Sequence, residues 1–335
     1  MEANVRDRVP PLVPAMFFGM VLGVGGLGNA WRVASRVWGL PGVIGDILCL
    51  AAIAIWLAWT VLFAWKWLAV PGPARAEITE PTTLFVVILV PMAAMIASLC
   101  AKPYAPALAW WMFAAGAIGT FAFTVWSTGL VWQGGRPLST TTPAIYMPNV
   151  GGALVVAMTA GTFGHPDIAW PMLGVGMASW LIWESVVLHR LATETMPVQQ
   201  RATFGIHLTP SAVASLAYLT LTDGHPDRFA QMLLGYALLQ ALVMLRLWRW
   251  LAEQPFGPAT WAYTFGIAAL AISTATFVER GGTGILAGLA PVMFVFANGF
   301  IGVVLVRTAM LAFQGRLFPS PLPSPKLKAQ ASSAG

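Results

Sequence analysis

Twelve carboxylates, four histidines and two cysteines are all that this 335-residue chain offers for acid–base, nucleophilic or metal chemistry. They are scattered. Cys49 and Cys100 lie inside apolar runs and read as small core residues, neither a disulfide nor a metal site. No nucleophile, base and orienting group fall together, so neither an enzyme nor a cofactor or metal is expected. The spacing that does recur is that of proline. Pro91 in "LVPMAA", Pro148 in "YMPNVGG" and Pro210 in "HLTPSA" sit near the middle of apolar runs, 57 and 62 residues apart. One further step of similar size reaches Phe265 and Gly266, in the small-residue run ATWAYTFGIAALAISTATFV (259–278). A proline inside a helix removes a hydrogen bond and bends it. In a membrane the freed carbonyl is tolerated only against protein or a water-filled cavity. What these residues offer is close helix packing or the wall of a path, not a reaction.

The elements that must position these residues are membrane helices. The chain is 58% hydrophobic and 9% charged, against about a quarter charged in soluble domains. Apolar runs near 20 residues predict ten spans, at about 12–34, 42–68, 82–100, 106–132, 144–163, 169–190, 203–221, 228–251, 259–278 and 285–312. The first run is too long for a signal-peptide core and is followed by similar ones, which makes it a membrane helix. Short loops such as "WQGGRPLSTTTP", "TETMPVQQR" and "DGHPDR" leave no room for a second domain. The organisation expected is a cytoplasmic tail (1–11), one ten-helix membrane domain (12–314) and a Pro/Ser-rich, disordered cytoplasmic tail (315–335).

Odd and even spans differ. The odd ones carry the central prolines or, in the first, Gly19, Gly23, Gly25, Gly26 and Gly28; the even ones, such as "MLLGYALLQALVMLRLW", are smooth and Leu-rich. The fold class expected is all-α integral membrane, five hairpins each pairing an irregular helix with a smooth one. The irregular helices would form an inner ring around a narrow conduit. The same glycines and prolines equally suit close helix packing, and pattern alone leaves both readings open.

With an even number of spans both termini share a side. That side holds thirteen of the eighteen Lys and Arg, counting adjoining helix ends, and the other holds five; both termini are therefore expected in the cytoplasm. This collar beside anionic lipid accounts for most of the net charge of +6 without a nucleic-acid partner. Trp-rich stretches at span ends, "AWKWLAV" and "RLWRW", suit the interface.

The odd spans have no Asp, Glu, Lys or Arg in their central turns, which argues against a proton-coupled carrier. A pore without central charge still favours anions through basic mouths and helix-end dipoles. Arg136 and Arg201 would flank the cytoplasmic mouth, and Arg32 and Arg280 the outer one; each is equally a topology marker. Tyr146, Asn149 and Thr209 flank the bends and would either bond a partly dehydrated anion or satisfy backbone loosened by proline. His207 shares a helix face with Pro210. It is either a titrating group on the path or a neutral histidine bonded to a neighbour, the reading preferred. Glu184, the one carboxylate well inside an apolar run, is read as a structural or subunit-interface partner ahead of a proton-coupling site. Asp46 suits a helix start.

Five segments carry a resemblance: "LVWQGGRP" (130–137), "WLIWESVVLHRL" (180–191), "QQRATFGIHLTPSA" (199–212), "LLGYALLQALVMLRLWRW" (233–250) and "TWAYTFGIAAL" (260–270). Together the chain resembles the tellurite-resistance/dicarboxylate transporter family, which includes a bacterial anion channel and the plant slow anion channels, and it is nearer the bacterial branch. The resemblance implies ten helices with quasi-fivefold symmetry in a homotrimer, each subunit with its own pore lined by odd helices. It implies conduction of small monovalent anions across the bacterial inner membrane, with tellurite resistance as an associated property. It further implies a mid-membrane phenylalanine gate, which matches Phe265, with Gly266 as its neighbour. A proline expected in the first span is replaced by Met20-Val21, so that span is expected to be straighter, and the short amino-terminal tail leaves no room for kinase control.

Overall fold

A computed structural model describes residues 12–318 of the chain. The amino-terminal tail and residues 319–335 of the carboxy-terminal tail, both assigned from sequence, lie outside the described residues. The described chain is helix joined by short loops, with no strand: α1 (Gly19–Trp38), α2 (Gly42–Ala69), α3 (Pro71–Thr79), α4 (Leu89–Ala101), α5 (Pro106–Trp132), α6 (Ala153–Thr162), α7 (Pro166–Thr193), α8 (Leu208–Leu221), α9 (Arg228–Arg246), α10 (Trp248–Leu251), α11 (Thr264–Glu279) and α12 (Ile285–Phe313).

Eight helical stretches are long and apolar enough to cross a membrane. The other two runs fall short for local reasons. α1 carries Asn29, Arg32 and Arg36 in its second half. The fifth run is divided between a π-turn of 6 residues, Met147–Gly152, and the 10 residues of α6.

Burial separates two classes of segment. In Leu84–Ala101, Val198–Leu221 and Pro258–Glu279, 67%, 78% and 72% of the most apolar window is buried; in α2, α5, α7, α9 and α12 it is 17–28%. The inner segments close on one another: α1 packs on α4, α4 on α6, α6 on α8, α8 on α11, and α11 returns to α1. Each outer helix bridges two inner ones, α2 on α1 and α4, α5 on α4 and α6, α7 on α6 and α8, α9 on α8 and α11, α12 on α11 and α1. Large apolar side chains such as Leu68, Ile118, Leu181 and Val295 point outward, a surface that water would reject and lipid accepts.

Every inner segment begins as something tighter or looser than an α-helix. Short 3₁₀ stretches precede α1 (Ala15–Phe18), α4 (Leu84–Ile88), α8 (Val198–His207) and α11 (Pro258–Tyr263), and the π-turn precedes α6. A proline stands at or just before the start of each: Pro14, Pro81, Pro143, Pro197 and Pro258. Its fixed φ and missing N–H suit the first turn of a helical segment. The central prolines are therefore not bends in continuous α-helices, as the sequence suggested. Pro91 and Pro210 are the third residues of α4 and α8, and Pro148 lies in the π-turn. Each marks a change of hydrogen-bond lattice at a point where an N–H is dispensable. α1 and α11 make the same change without a proline, so the first segment is irregular at its start despite Met20-Val21.

Gly205 holds two of the 3₁₀ stretches together. A Cβ there would lie 2.6 Å from the Tyr263 nitrogen and 2.7 Å from the Ala262 carbonyl carbon, and backbone cannot swing aside as a side-chain tip does. Gly205→Ala is expected to cost about 1–3 kcal/mol, seen as a lower melting temperature in detergent. An unchanged melt would mean that the two stretches separate freely.

Candidate functional site

The irregular stretches enclose an axial cavity of about 110 Å³. Four files of side chains face it at a spacing of three: Met16–Gly19–Leu22, Val86–Leu89–Met92, Thr203–Ile206–Thr209 and Ala259–Ala262–Phe265. In a 3₁₀ helix residues i and i+3 eclipse one another, so a straight file faces the axis where an α-helix would rotate it away. The fifth wall is Ala144, Tyr146, Met147 and Gly151. No residue beyond Leu22, Met92, Gly151, Pro210 and Phe265 in the five segments reaches the cavity. Phe265, 7% exposed, thus ends its file at the blind end, in company with Leu22 and Met92. A Cβ on Gly26 would stand 3.8 Å from the Phe265 ring.

The lining carries no charged side chain. Its side-chain hydroxyls are few and mostly engaged: Tyr146 donates to Glu184 Oε2 at 2.7 Å and Thr203 to the Gln200 carbonyl at 2.6 Å. The Thr209 hydroxyl, alone of the three, has no hydrogen-bond partner among the described residues. It is the hydroxyl left free to donate into the cavity. The five segments also enter the cavity by their amino-terminal ends, which carry the positive end of each helix dipole.

Behind Tyr146 sits Glu184 of α7, 9% exposed. Its Oε2 also accepts from Trp180 at 3.2 Å, and its Oε1 from Tyr236 at 3.1 Å and Gln240 at 3.4 Å, both on α9. His207 Nδ1 lies 3.5 Å from the Tyr146 hydroxyl and 3.9 Å from Glu184. Its Nε2 is buried without a partner.

The sequence candidates divide accordingly. Gly19, Tyr146, Thr209, Pro210 and Phe265 line the cavity. His207 does not. In a 3₁₀ helix one residue is a turn of about 120°, which carries His207 off the axial file toward α7 and α9. Asn149 looks outward to α5, where its Oδ1 accepts from Thr128 at 2.8 Å. Gly23 is a packing site, since a Cβ would come 2.2 Å from Thr264 Oγ1. Gly266 backs onto α8, a Cβ there meeting Thr209 Oγ1 at 3.0 Å and Leu208 Cβ at 3.2 Å; the glycine facing the ring is Gly26. Leu22 and Met92 are absent from the sequence reading, and the three-residue file was the signal that would have found them; Gly26 is named there only as one of the glycines of the first span, with no link to the ring.

None of the four arginines lines the cavity; each staples a loop. Arg32 reaches Asp46 at 3.1 Å and the Leu99 and Cys100 carbonyls. Arg201 holds the Met196 and Trp250 carbonyls, pairs with Glu253 and stacks over the Trp250 ring at 4.2 Å. Arg136 donates to the Pro81 carbonyl at 2.9 Å and lies over Phe85. Arg280 donates to the Gly224 and Leu219 carbonyls at 2.9 Å. Arg136 and Arg280 have no carboxylate partner among the described residues, so their charge is the less compensated.

Comparison with known proteins gives the family. The chain is 30% identical over 316 residues to the "Tellurite resistance protein TehA homolog" of Haemophilus influenzae, covering 94% of this chain and 95% of that one. It is 24% identical to the "S-type anion channel SLAH2" of Arabidopsis thaliana, covering 94% of this chain and 63% of the plant protein. The family model described as "SLAC1: Voltage-dependent anion channel" matches residues 13–309. With almost its whole described length matched, this multi-pass membrane chain belongs to the SLAC1 voltage-dependent anion channel family.

Proposed function

We propose that the chain is a gated, passive channel for small monovalent anions of the chloride or nitrate type, tellurite among them, whose axial path is closed by Phe265. One observation carries this: four files of mostly small and apolar side chains and a fifth wall, one from each inner segment, face one uncharged cavity that ends at that ring. The amino-terminal helix ends and the open Thr209 hydroxyl favour an anion over a cation. The organisation proposed is ten membrane crossings in five hairpins with quasi-fivefold symmetry, spanning 12–314. Support comes from the cyclic packing of the inner segments and the bridging outer helices. The proposal extends to a homotrimer with one path per subunit in the bacterial inner membrane, both termini cytoplasmic.

The rival is a proton-coupled carrier of C4-dicarboxylates or tellurite. It draws on one feature, the membrane-embedded Glu184 one hydroxyl away from the cavity. Purified protein in liposomes separates the two. A channel is expected to dissipate a chloride gradient with no pH gradient present, and at the same rate when one is imposed. Proton movement in fixed ratio to the anion would overturn the channel reading.

A further inference from the structure

A second, larger cavity lies on the outside of the helix ring, where α9 and α12 barely touch. It measures about 650 Å³, within the roughly 300–1,000 Å³ range of ligand sites. Its floor is apolar and deep: Leu208 of α8, Ile267 of α11 and Tyr263. Its flanks are Ala241 and Met244 of α9 and Phe296 and Phe300 of α12. Its mouth is basic. Arg307 is exposed and stacks 4.6 Å over the Phe256 ring, with no carboxylate or carbonyl partner among the described residues. Arg201, at this end, is tied to a carboxylate and to carbonyls; Arg307 is held by an aromatic face alone. It lies six residues before the end of α12, about 9 Å along the helix axis, the depth of a lipid headgroup rather than of bulk water. Trp248, also in the groove, is a residue of the interface.

We infer that this groove is a binding site for one acidic phospholipid, with an acyl chain against Leu208, Tyr263 and Ile267 and the phosphate on Arg307. An apolar trough open to the bilayer fills with hydrocarbon, and an unpaired guanidinium at headgroup depth selects the negative headgroup. The occupant presses on the conduction machinery through a thin wall. Ala202 lines both this groove and the axial cavity, and Tyr263 follows Ala262 of the file that ends at Phe265. The inference concerns binding and stands whether the chain proves to be a channel or a carrier.

The test is native mass spectrometry of the full-length protein, purified in mild detergent and titrated with phosphatidylglycerol or phosphatidylcholine of identical chains. The parent is expected to retain one phosphatidylglycerol per subunit with a roughly fivefold preference, the size of one basic residue near an acidic headgroup. Arg307→Gln should bring the preference to near one, and Arg307→Lys should restore much of it. Ala241→Trp, which fills the trough, should remove the retained lipid, while Arg75→Gln, outside the groove, should leave it. No headgroup preference in the parent, or the same preference in Arg307→Gln, would overturn the site. So would a change of oligomeric state in Ala241→Trp with lipid retention intact, which would assign the groove to a second copy of the chain.

Discussion

Phe265→Ala is expected to convert a nearly silent protein into one with a large constitutive chloride current, a rise on the order of tenfold or more in planar bilayers or oocytes. The reason is geometric. Below the ring the Ala259–Ala262 file offers methyl groups only, and beside it Gly26 offers no side chain at all. The benzyl group is therefore the largest obstacle that the eleventh helix puts on the axis. A ring that blocks an apolar throat also keeps water out, and an anion cannot shed its hydration in a dry passage. Removing it widens and wets the throat together. The residue lines a cavity and is not packed on all sides, so the substitution should cost less stability than the 3–5 kcal/mol typical of a core Phe→Ala. A folded, conducting protein is the expected product. Leu22→Ala and Met92→Ala, which trim the same blind end from α1 and α4, should raise conductance less, because each leaves the ring in place. A Phe265→Ala protein that folds, reaches the membrane and passes no more current than the parent would remove the gate. If Leu22→Ala opened the path and Phe265→Ala did not, the closure would belong to α1.

The two burial classes were legible in the sequence for a reason specific to lipid. A helix with one side against hydrocarbon must be apolar on that side, as the Leu-rich "MLLGYALLQALVMLRLW" is, whereas a helix facing a narrow path can carry glycine, proline and hydroxyls. What the sequence did not reveal was the helix type. Reading Pro91, Pro148 and Pro210 as bends assumed α-helix on both sides. The leading prolines, Pro14, Pro81, Pro143, Pro197 and Pro258, mark five starts of irregular backbone instead. Helix type in turn decides which face a residue takes, which is why His207 and Asn149 were put near the path while Leu22 and Met92 went unnoticed. The Glu184 cluster was hidden differently. Tyr146, Tyr236 and Gln240 stand 38, 52 and 56 residues from it in the chain, and only the packing of α7 against its neighbours brings them together. The arginines, read as flanking the mouths of a path, do not line the cavity, and their guanidinium groups are spent largely on carbonyls that the turns leave over.

Glu184→Ala is expected to destabilise the protein strongly while Glu184→Gln spares most of its function. Alanine leaves the Tyr146, Trp180, Tyr236 and Gln240 donors without their acceptor, and each orphaned buried group costs about 1–3 kcal/mol. Tyr236 and Gln240 are less enclosed and recover part of that loss, so a drop of several degrees in melting temperature, or failure to accumulate, is the expected result. Glutamine keeps the volume and one carbonyl acceptor. With Tyr146 still anchored, the wall of the cavity that it forms should keep its shape, and chloride flux per folded molecule should stay within about twofold of the parent, since the lining itself is untouched. A proton-coupled carrier makes the opposite demand on the same variant. Its transport would stop when the titrating group is lost, however well the framework holds. The two substitutions together therefore separate support from coupling. Loss of stability in Glu184→Ala with flux preserved in Glu184→Gln makes the carboxyl a framework acceptor. A stable Glu184→Gln protein that has lost all anion movement would make it part of the transport step, and the uncharged-conduit account would fail.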